Sequence, residues 1–319
     1  MNTKRWLVVA ALILALLAGL ALYGDIASVQ DQFTRFNWWI LGPALGLATL
    51  NFLLRFAKWE VFLRVLGHKP GTKASALVFF SGLAMSVTPG KLGEVLKAWL
   101  LKRSCGVPLA DTVPVVVAER LTDLISVVLL ASFGAASFSY GLDLLVAALA
   151  LCSAVVALTL WTRAFRAVVE FFSKIPAVGR RKQSLLDLQH AMVKLVGPAP
   201  LAIGSLLGIV AWAAECLAFH IILHAVGVQA SLQQSFFIYA MGTLAGALAM
   251  LPGGLLATEA SMVAMLVEVL AVAQPAQAVT AVFLVRLTTL WWAVAVGSVA
   301  LALQRRTTPV ALDEVVKEK

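Results

Sequence analysis

The chain has 319 residues, of which 61% are hydrophobic and 13% are charged, and its formal net charge is +9. Soluble domains carry about 25% charged residues, so this composition excludes an ordinary soluble protein and any soluble domain of the usual size. The basic residues lie in short loops between apolar runs, as in the cytoplasmic loops of membrane proteins, and we therefore exclude nucleic acid as a partner.

Six long apolar segments predict helices that span the membrane. They lie at 6–23, 38–66, 110–137, 141–161, 199–226 and 275–303. The first follows two basic residues, as the apolar part of a cleavable signal peptide does, but its 18 residues form a helix of about 27 Å, close to the thickness of a bilayer core. No small-residue cleavage site follows it, so we predict an uncleaved first span.

Two further apolar regions, 75–103 and 231–272, are interrupted by proline and glycine. The interrupting residues are Pro89, Gly90 and Gly93 in the first region and Pro252, Gly253 and Gly254 in the second. Proline lacks a backbone donor and glycine adopts non-helical angles, so both breaks interrupt a helix and need cover from protein or water within the bilayer. We predict two re-entrant helical hairpins. The alternative is that every arm crosses fully, which gives up to ten spans.

With six spans, every cluster of basic residues falls on the same side of the membrane. This distribution predicts a multi-pass protein of the cytoplasmic (inner) membrane with both termini in the cytoplasm. Residues 1–303 then form one membrane domain, and 304–319 form a cytoplasmic tail. The basic segment 163–196 also contains aromatic and aliphatic residues, which favours an amphipathic helix on the inner leaflet over a solvated linker.

The two halves of the membrane domain, about 38–137 and 199–303, share a pattern. Each has an ionisable residue twelve positions before a glycine, then a broken hairpin with a glutamate, then a span that contains Arg-Leu-Thr. The elements are Arg55, Gly67, Glu94 and 120–122 in the first half, and Glu215, Gly227, Glu259 and 286–288 in the second. The six-span topology gives the halves opposite orientations, which is the inverted-repeat architecture of many secondary transporters.

Two motifs connect the chain to a known family. The motif Pro-Gly-x-x-Gly-Glu at 89–94, followed by Glu-Arg-x-x-Asp at 119–123, resembles the flippase-like transmembrane domain of lysylphosphatidylglycerol synthases and their stand-alone relatives. The resemblance covers about 6–303 and implies lipid translocation. It also implies a stand-alone member without the soluble synthase domain, so lipid aminoacylation is not expected. The family pattern at the second break reads Pro-Gly-Gly-x-Gly, but Leu256 stands where the last glycine is expected.

Ionisable residues within the membrane are costly, so each of them is a candidate for function. The candidates for substrate binding are Arg55, Lys58, Lys91, Glu94, Glu119, Arg120, Asp123, Glu215, Thr258, Glu259 and Arg286. Arg120 could hold a lipid phosphate through its planar donor fork, or pair with Asp123 or Glu94 to fasten the first hairpin to the bundle. The two roles are compatible.

The other candidates also have a functional and a structural interpretation. If Thr88 caps the second arm of the first hairpin, the backbone N–H groups there form an anion site with Lys91. Glu94 would lie in the first turns of that arm, or it would pair with Lys91 or Lys97. Arg55 and Lys58 either contact the substrate or reach the interface by snorkelling.

In the second half, Arg286 is the counterpart of Arg120. Its acidic partner must come from another helix, and Glu215, Glu259 and Glu268 are the candidates. Glu215 lies at mid-span and could instead carry a proton or an ion. Thr258 could add a hydroxyl ligand.

The sequence predicts no cofactor and no catalytic residue. His220 and His224 have the spacing of metal ligands, but two ligands do not make a site, and the sequence has no hydrolase, ATPase or metalloenzyme motif. We expect a lipid translocase that moves an anionic phospholipid, an aminoacylated lipid or a polyprenyl-phosphate-linked lipid by alternating access. The alternatives are a non-transporting scaffold for a lipid-modifying or glycosyl-transferring enzyme, and a membrane enzyme that acts on a lipid-linked group. The expected partners are membrane lipids with anionic headgroups.

Overall fold

All of the secondary structure described for this chain is helical. The computed structural model describes residues 23–88, 92–135, 160–173, 182–249 and 251–307, together with Gly19 and isolated positions between 146 and 157. The described residues contain no strand, so the prediction of an all-α membrane protein is confirmed. Most of the predicted spans 6–23 and 141–161, the first break at 89–91 and the tail beyond 307 lie outside the described residues.

The helices follow the apolar segments of the sequence. In the first half they are α1 (Ile26–Arg35), α2 (Leu41–Val65), α3 (Thr72–Leu83), α4 (Leu92–Cys105) and α5 (Leu109–Ala135). The basic middle segment contains α6 (Thr162–Phe172) and α7 (Lys182–Leu195). In the second half they are α8 (Pro198–Ala225), α9 (Leu232–Leu248), α10 (Ala257–Ala264), α11 (Pro275–Arg286) and α12 (Trp292–Thr307). A π-helical turn, Met265–Val269, extends α10, and another, Leu287–Trp291, joins α11 to α12.

Four helical stretches of the described chain are long and apolar enough to cross a membrane. They are Trp38–Val65, Pro198–Ala225, Pro252–Val269 and Pro275–Gln304. The protein is therefore a multi-pass membrane protein. The 27 residues of α5 also reach about 40 Å as a helix, but charged residues occupy its middle.

The two hairpins differ in the length of their arms. In the first hairpin, α3 has 12 residues and α4 has 14, so the arms measure about 18 and 21 Å against a bilayer core of about 30 Å. Arms of this length favour re-entry over crossing. In the second hairpin, the stretch Pro252–Val269 is long enough to cross, and its length is compatible with either topology.

Helices of the first half pack directly against helices of the second half, so the two halves do not form separate bundles. Helix α2 lies along α8, α3 lies along α12, and α5 lies along α9, so the first arm of each hairpin contacts the last span of the other half. Asn51 Nδ2 donates a 2.9 Å hydrogen bond to the Ala211 carbonyl, and Trp292 Nε1 donates one of 2.9 Å to Thr49 Oγ1. Trp292 therefore makes an internal contact between helices, which explains its position away from the membrane interface.

The turns that follow α2 and α8 have the same structure. Gly67 and Gly227 adopt φ angles of 89° and 84°, a region that favours glycine. The N–H of the next residue donates back to the carbonyl of Leu63 in one turn and of Leu223 in the other, at 2.9 Å in both. These glycines are 160 residues apart, as are Arg55 and Glu215. The shared local structure supports the predicted repeat.

The basic segment differs from the prediction of one amphipathic helix over 163–196. It contains two helices, α6 and α7, on either side of residues that lie outside the described chain. Helix α6 exposes Phe171 and Phe172 and buries Val169, while α7 packs against α5 through Met192 and Leu195. The segment is amphipathic as predicted, but half of it belongs to the packed bundle.

Candidate functional site

An arginine and a glutamate meet at the same place in both halves. Arg120 Nε lies 3.1 Å from Glu94 Oε1, and Arg286 Nε lies 2.5 Å from Glu259 Oε1. Neither Nε–H group is aligned for a hydrogen bond, so both contacts are ion pairs. Each glutamate lies in the first turn of the second arm of a hairpin, and each arginine lies on the following span. The pair therefore ties each hairpin to the next span.

Asp123 is the centre of a larger group in the first half. Its Oδ1 lies 2.5 Å from Lys58 Nζ, and its Oδ2 lies 3.6 Å from Arg55 Nη2 and 3.7 Å from Arg120 Nη1. The indole of Trp212 on α8 donates a 3.2 Å hydrogen bond to Oδ1. One carboxylate thus faces three cations and links α2, α5 and α8.

The structure corrects the snorkelling interpretation of Lys58. Its side chain has no solvent exposure, and it turns inwards to Asp123. Arg55, one helical turn earlier on α2, also points to this carboxylate and stacks over the Trp212 ring at 5.7 Å. Both residues therefore belong to the interior of the bundle and not to the interface.

Glu119, a candidate for substrate binding in the sequence, points away from Arg120 to a lysine of the first hairpin. It is fully buried, and its Oε2 lies 2.8 Å from Lys97 Nζ on α4. The Lys97 ammonium also lies over the rings of Trp59 at 4.6 Å and Phe79 at 5.0 Å, where cation–π attraction adds to the ion pair. Glu119 is therefore an internal partner of the first hairpin, out of reach of a ligand at Arg120. Lys97 was considered only as a partner of Glu94, and its three-residue spacing from Glu94 was the only signal in the sequence.

We call these residues the first-half charge cluster: Arg55, Lys58, Glu94, Lys97, Glu119, Arg120 and Asp123. It contains four cationic side chains and three carboxylates, which leaves one positive charge in excess. The side chains of Arg120 and Glu94 are 38% and 26% exposed, whereas the others are largely buried. Arg55 Nε and Arg120 Nε have no hydrogen-bond acceptor. These two Nε–H groups are buried, and the Arg120 side chain is the most exposed cation of the cluster.

The second-half charge cluster, which consists of Glu215, Tyr239, Glu259 and Arg286, is more closed. The side chains of Arg286 and Glu259 are 14% and 5% exposed. Arg286 Nη2 donates a 2.6 Å hydrogen bond to the carbonyl of Gly253 at the second break. Glu215 Oε2 accepts a 2.7 Å hydrogen bond from the Tyr239 hydroxyl on α9. Glu259 is therefore the partner of Arg286, and Glu215 is not.

The sequence model of the family described as "Lysylphosphatidylglycerol synthase TM region" matches residues 7–297. The chain belongs to this family. The match covers both charge clusters and both hairpins, and the membership associates the chain with membrane lipid function. No curated protein matches the sequence.

The second break shows why the family pattern has glycine where this chain has Leu256. Gly253 and Gly254 adopt φ angles of 63° and 66°, and Leu256 adopts 72°. A side chain with a Cβ is disfavoured in this region by about 1–2 kcal/mol. Leu256 therefore keeps a strained backbone and packs against the apolar group formed by Val87, Leu255 and Leu290.

The two hairpins meet in this apolar group. Val87 lies two residues before the first break, and a Cβ added to Gly253 would lie 3.4 Å from Val87 Cγ1. Leu290 from the turn between α11 and α12 completes the contact. We refer to Val87, Leu255 and Leu290 as the apolar junction. Within the described residues, the segment that leads into the first break therefore packs against the second break.

Five other predicted site residues have packing positions or lie outside the described chain. Gly93 lies inside α4 and not at the break, and a Cβ there would lie 2.5 Å from the Gly82 carbonyl, so it lets the two arms approach. Thr258 is buried, and its hydroxyl fills a notch between Gly246 and Gly254, where no ligand has access. Pro89, Gly90 and Lys91 lie outside the described residues, as does any anion site at the start of this arm.

The histidine pair makes separate hydrogen bonds. His220 Nδ1 lies 2.9 Å from Ser235 Oγ, and His224 Nε2 lies 3.1 Å from the Ala230 carbonyl. Within the described residues, no three His, Cys, Asp or Glu side chains are grouped as metal ligands. Glu268, another candidate partner of Arg286, instead accepts a 2.6 Å hydrogen bond from the Tyr23 hydroxyl.

Proposed function

We propose that this protein is a lipid translocase that moves a lipid with an anionic headgroup between the two leaflets. The observation that carries the proposal is the position of Arg120. It lies on the same face of α5 as Val113, Val117 and Leu124, which are all exposed. The headgroup of a lipid can contact an arginine in such an apolar, lipid-facing stripe from within the membrane, while the lipid tails remain in the bilayer.

The charge of the cluster favours an anion. One positive charge in excess is costly within a membrane unless an anion accompanies it. Arg55 and Arg120 approach Asp123 only at 3.6 and 3.7 Å, and each keeps an Nε–H without an acceptor. A phosphate accepts several such bonds at once, because the planar guanidinium fork matches its oxygens. Phosphate between Arg55 and Arg120 is therefore the ligand that fits best.

Binding of the phosphate would act on the first hairpin through Glu94. Glu94 and the phosphate compete for the same guanidinium, so a bound headgroup weakens the ion pair that ties α4 to α5. The hairpin is then free to move relative to the span while Lys97 and Glu119 keep its far side attached. Translocation of this kind needs no covalent chemistry, and we assign no catalytic residue.

The test is leaflet exchange of labelled lipids in proteoliposomes. Phosphatidylglycerol, its aminoacylated form and a polyprenyl phosphate would be compared, with the wild type, Arg120→Ala and Arg64→Ala. We expect exchange of at least one class, a loss of 10-fold or more in Arg120→Ala, and little change in Arg64→Ala. Arg64 is the matched control because it pairs with Glu60 at 3.2 Å and is 59% exposed at the end of α2.

Two outcomes would contradict the proposal. Unchanged exchange in folded Arg120→Ala protein would remove this residue from the transport path. No exchange of any lipid by folded wild-type protein would favour the scaffold function, and a stable complex with a lipid-modifying enzyme would then be the expected finding.

A further inference from the structure

The second-half charge cluster has the opposite charge excess from the first. It contains two carboxylates, Glu215 and Glu259, and one guanidinium, that of Arg286. One negative charge is therefore in excess among the described residues of this cluster, and the one positive charge in excess in the first-half charge cluster offsets it only while no phosphate is bound there. An excess carboxylate in a membrane interior is costly in the same way as an excess cation, and a bound proton removes the cost.

Glu215 is the carboxylate without an ion pair. It lies buried in the middle of α8, and no Lys, Arg or His nitrogen of the described chain lies within 4.0 Å of it. Its only hydrogen-bond donor in the described residues is the Tyr239 hydroxyl. The charged and titratable groups that act on Glu215 are Arg55 from α2, Asp123 from α5, Tyr239 from α9, Arg286 from α11 and Cys216 on its own helix.

Glu259 provides a second, independent observation. Its side chain is 5% exposed, and neither of its carboxylate oxygens accepts a hydrogen bond. Arg286 balances its charge at 2.5 Å and also donates to the Gly253 carbonyl, so the single positive charge of this guanidinium is already paired with Glu259. No cation of the second half is left for Glu215.

We propose that Glu215 takes up one proton for each anionic lipid that the protein moves. This inference rests on the proposed lipid translocation. Arg55 connects the two sites, because it lies over the ring of Trp212, one turn before Glu215 on α8, while its guanidinium lies next to Asp123 in the proposed phosphate site. A phosphate bound to Arg55 neutralises the charge that favours the Glu215 carboxylate, so a proton from water on that side adds to a Glu215 oxygen. The proton leaves to water on the other side when the lipid is released.

The surroundings of Glu215 suit a proton better than a metal cation. Hard cations such as Mg²⁺ and Ca²⁺ take six or more oxygen ligands. Next to Glu215 the described chain provides one phenol that already donates to it, and apolar residues such as Ala218 and Phe219. A proton needs only the carboxylate, and one proton with one singly charged lipid makes the transport electroneutral.

The experiment measures the distribution of labelled phosphatidylglycerol between leaflets in proteoliposomes with a pH gradient. For one proton per lipid, a gradient of two units shifts the leaflet ratio by up to about 100-fold. We expect this shift for the wild type and for the control Glu60→Gln, whose carboxylate is also buried but pairs with Arg64. We expect Glu215→Gln to lose the shift.

The possible results distinguish a failure of the proton coupling from a failure of the lipid translocation itself. Exchange of phosphatidylglycerol by the wild type without a shift would overturn the proton coupling and leave the translocase standing, whereas no exchange by folded wild type would overturn both. A full shift in Glu215→Gln, or an equal shift with a sodium gradient, would also overturn the inference.

If the Glu215→Gln protein folds but exchanges no lipid, a second variant, Tyr239→Phe, provides the test. It removes the hydrogen-bond donor of Glu215 and keeps the aromatic ring. If Glu215 takes up the proton, this variant shifts the pH at which exchange is half-maximal. If Glu215 is only structural, that pH is unchanged, and this result would overturn the inference.

Discussion

In both halves of the membrane domain, an ion pair between one glutamate and one arginine links a broken hairpin to the next span. The residues around the two pairs differ. In the first half, Asp123 gathers three cations and Arg120 stays 38% exposed. In the second half, Arg286 is 14% exposed and is bound to the hairpin backbone, while Glu215 has no cation of its own. Two similar arrangements of helices therefore carry one charge cluster with a positive excess and one with a negative excess. We propose that the first binds an anion from the lipid phase and that the second binds a proton.

We expect the largest loss in the free energy of unfolding for a substitution of Asp123. Asp123→Asn leaves Lys58 buried without a counter-charge, which should lower the free energy of unfolding by about 3–5 kcal/mol. Denaturant titration of the purified protein in mixed micelles measures this. Asp111→Asn is the control, because Asp111 is 40% exposed and pairs with His68 at 2.9 Å. Its loss should amount to less than about 1 kcal/mol. Equal effects at the two positions would show that Asp123 is not the centre of the cluster.

The two arginines should differ in the same measurement. Arg286→Ala leaves Glu259 buried and unpaired and frees the Gly253 carbonyl, so we expect a loss of about 3 kcal/mol. Arg120→Ala should lose about 1 kcal/mol, because this arginine is partly exposed and Asp123 keeps other partners. The larger loss in transport is expected in Arg120→Ala. A larger loss of stability in Arg120→Ala than in Arg286→Ala would show that the Arg286–Glu259 pair contributes less to stability than the Arg120–Glu94 pair.

The matching turns provide a test of the repeat itself. Gly67→Ala and Gly227→Ala each place a Cβ at a φ angle near 85°, with an expected loss of about 1–2 kcal/mol in both cases. Gly227→Ala should have the slightly larger effect, because the new Cβ would lie 3.2 Å from Gln277 Nε2, whereas the space at Gly67 is open. A large loss at only one turn would indicate that the two turns have different roles.

We expect the smallest difference in the free energy of unfolding between two variants of Leu256. Leu256→Ala and Leu256→Gly both remove the side chain from the apolar junction, but only glycine also relieves the strain at φ 72°. We expect the glycine variant to be more stable than the alanine variant by about 1 kcal/mol in thermal or denaturant unfolding. An alanine variant as stable as the glycine variant would show that the positive φ is not retained there.

The features that the sequence predicted depend on local signals. Long apolar runs indicated the spans, proline with glycine indicated the breaks, and equal spacing in the two halves indicated that Glu94 and Glu259 have the same place relative to their arginines. Each of these signals lies within a short stretch of chain. The all-α fold could therefore be anticipated, whereas Glu259 was only one of three candidate partners of Arg286 and the packing of the helices selected it.

The errors concern residues whose surroundings come from distant helices. Lys58 near the end of an apolar segment fits snorkelling as well as burial, and only the packing of α2 against α5 places it on Asp123. Thr258 has a polar group, but Gly246 on the other arm occupies the space in front of it. Trp212 was not considered at all, because nothing near it in the sequence indicates a carboxylate on another helix.

The apolar junction has a consequence for the energetics of the whole cell membrane. A protein that opens a polar path for headgroups would discharge the membrane voltage if small ions could follow. Val87, Leu255 and Leu290 pack together where the described parts of the two hairpins meet, and an ion crossing between these apolar side chains would have to give up its hydration shell. For a protein that moves lipids as proposed, we expect the junction to insulate the two sides electrically, and replacing Leu290 by a small polar residue should introduce a leak current.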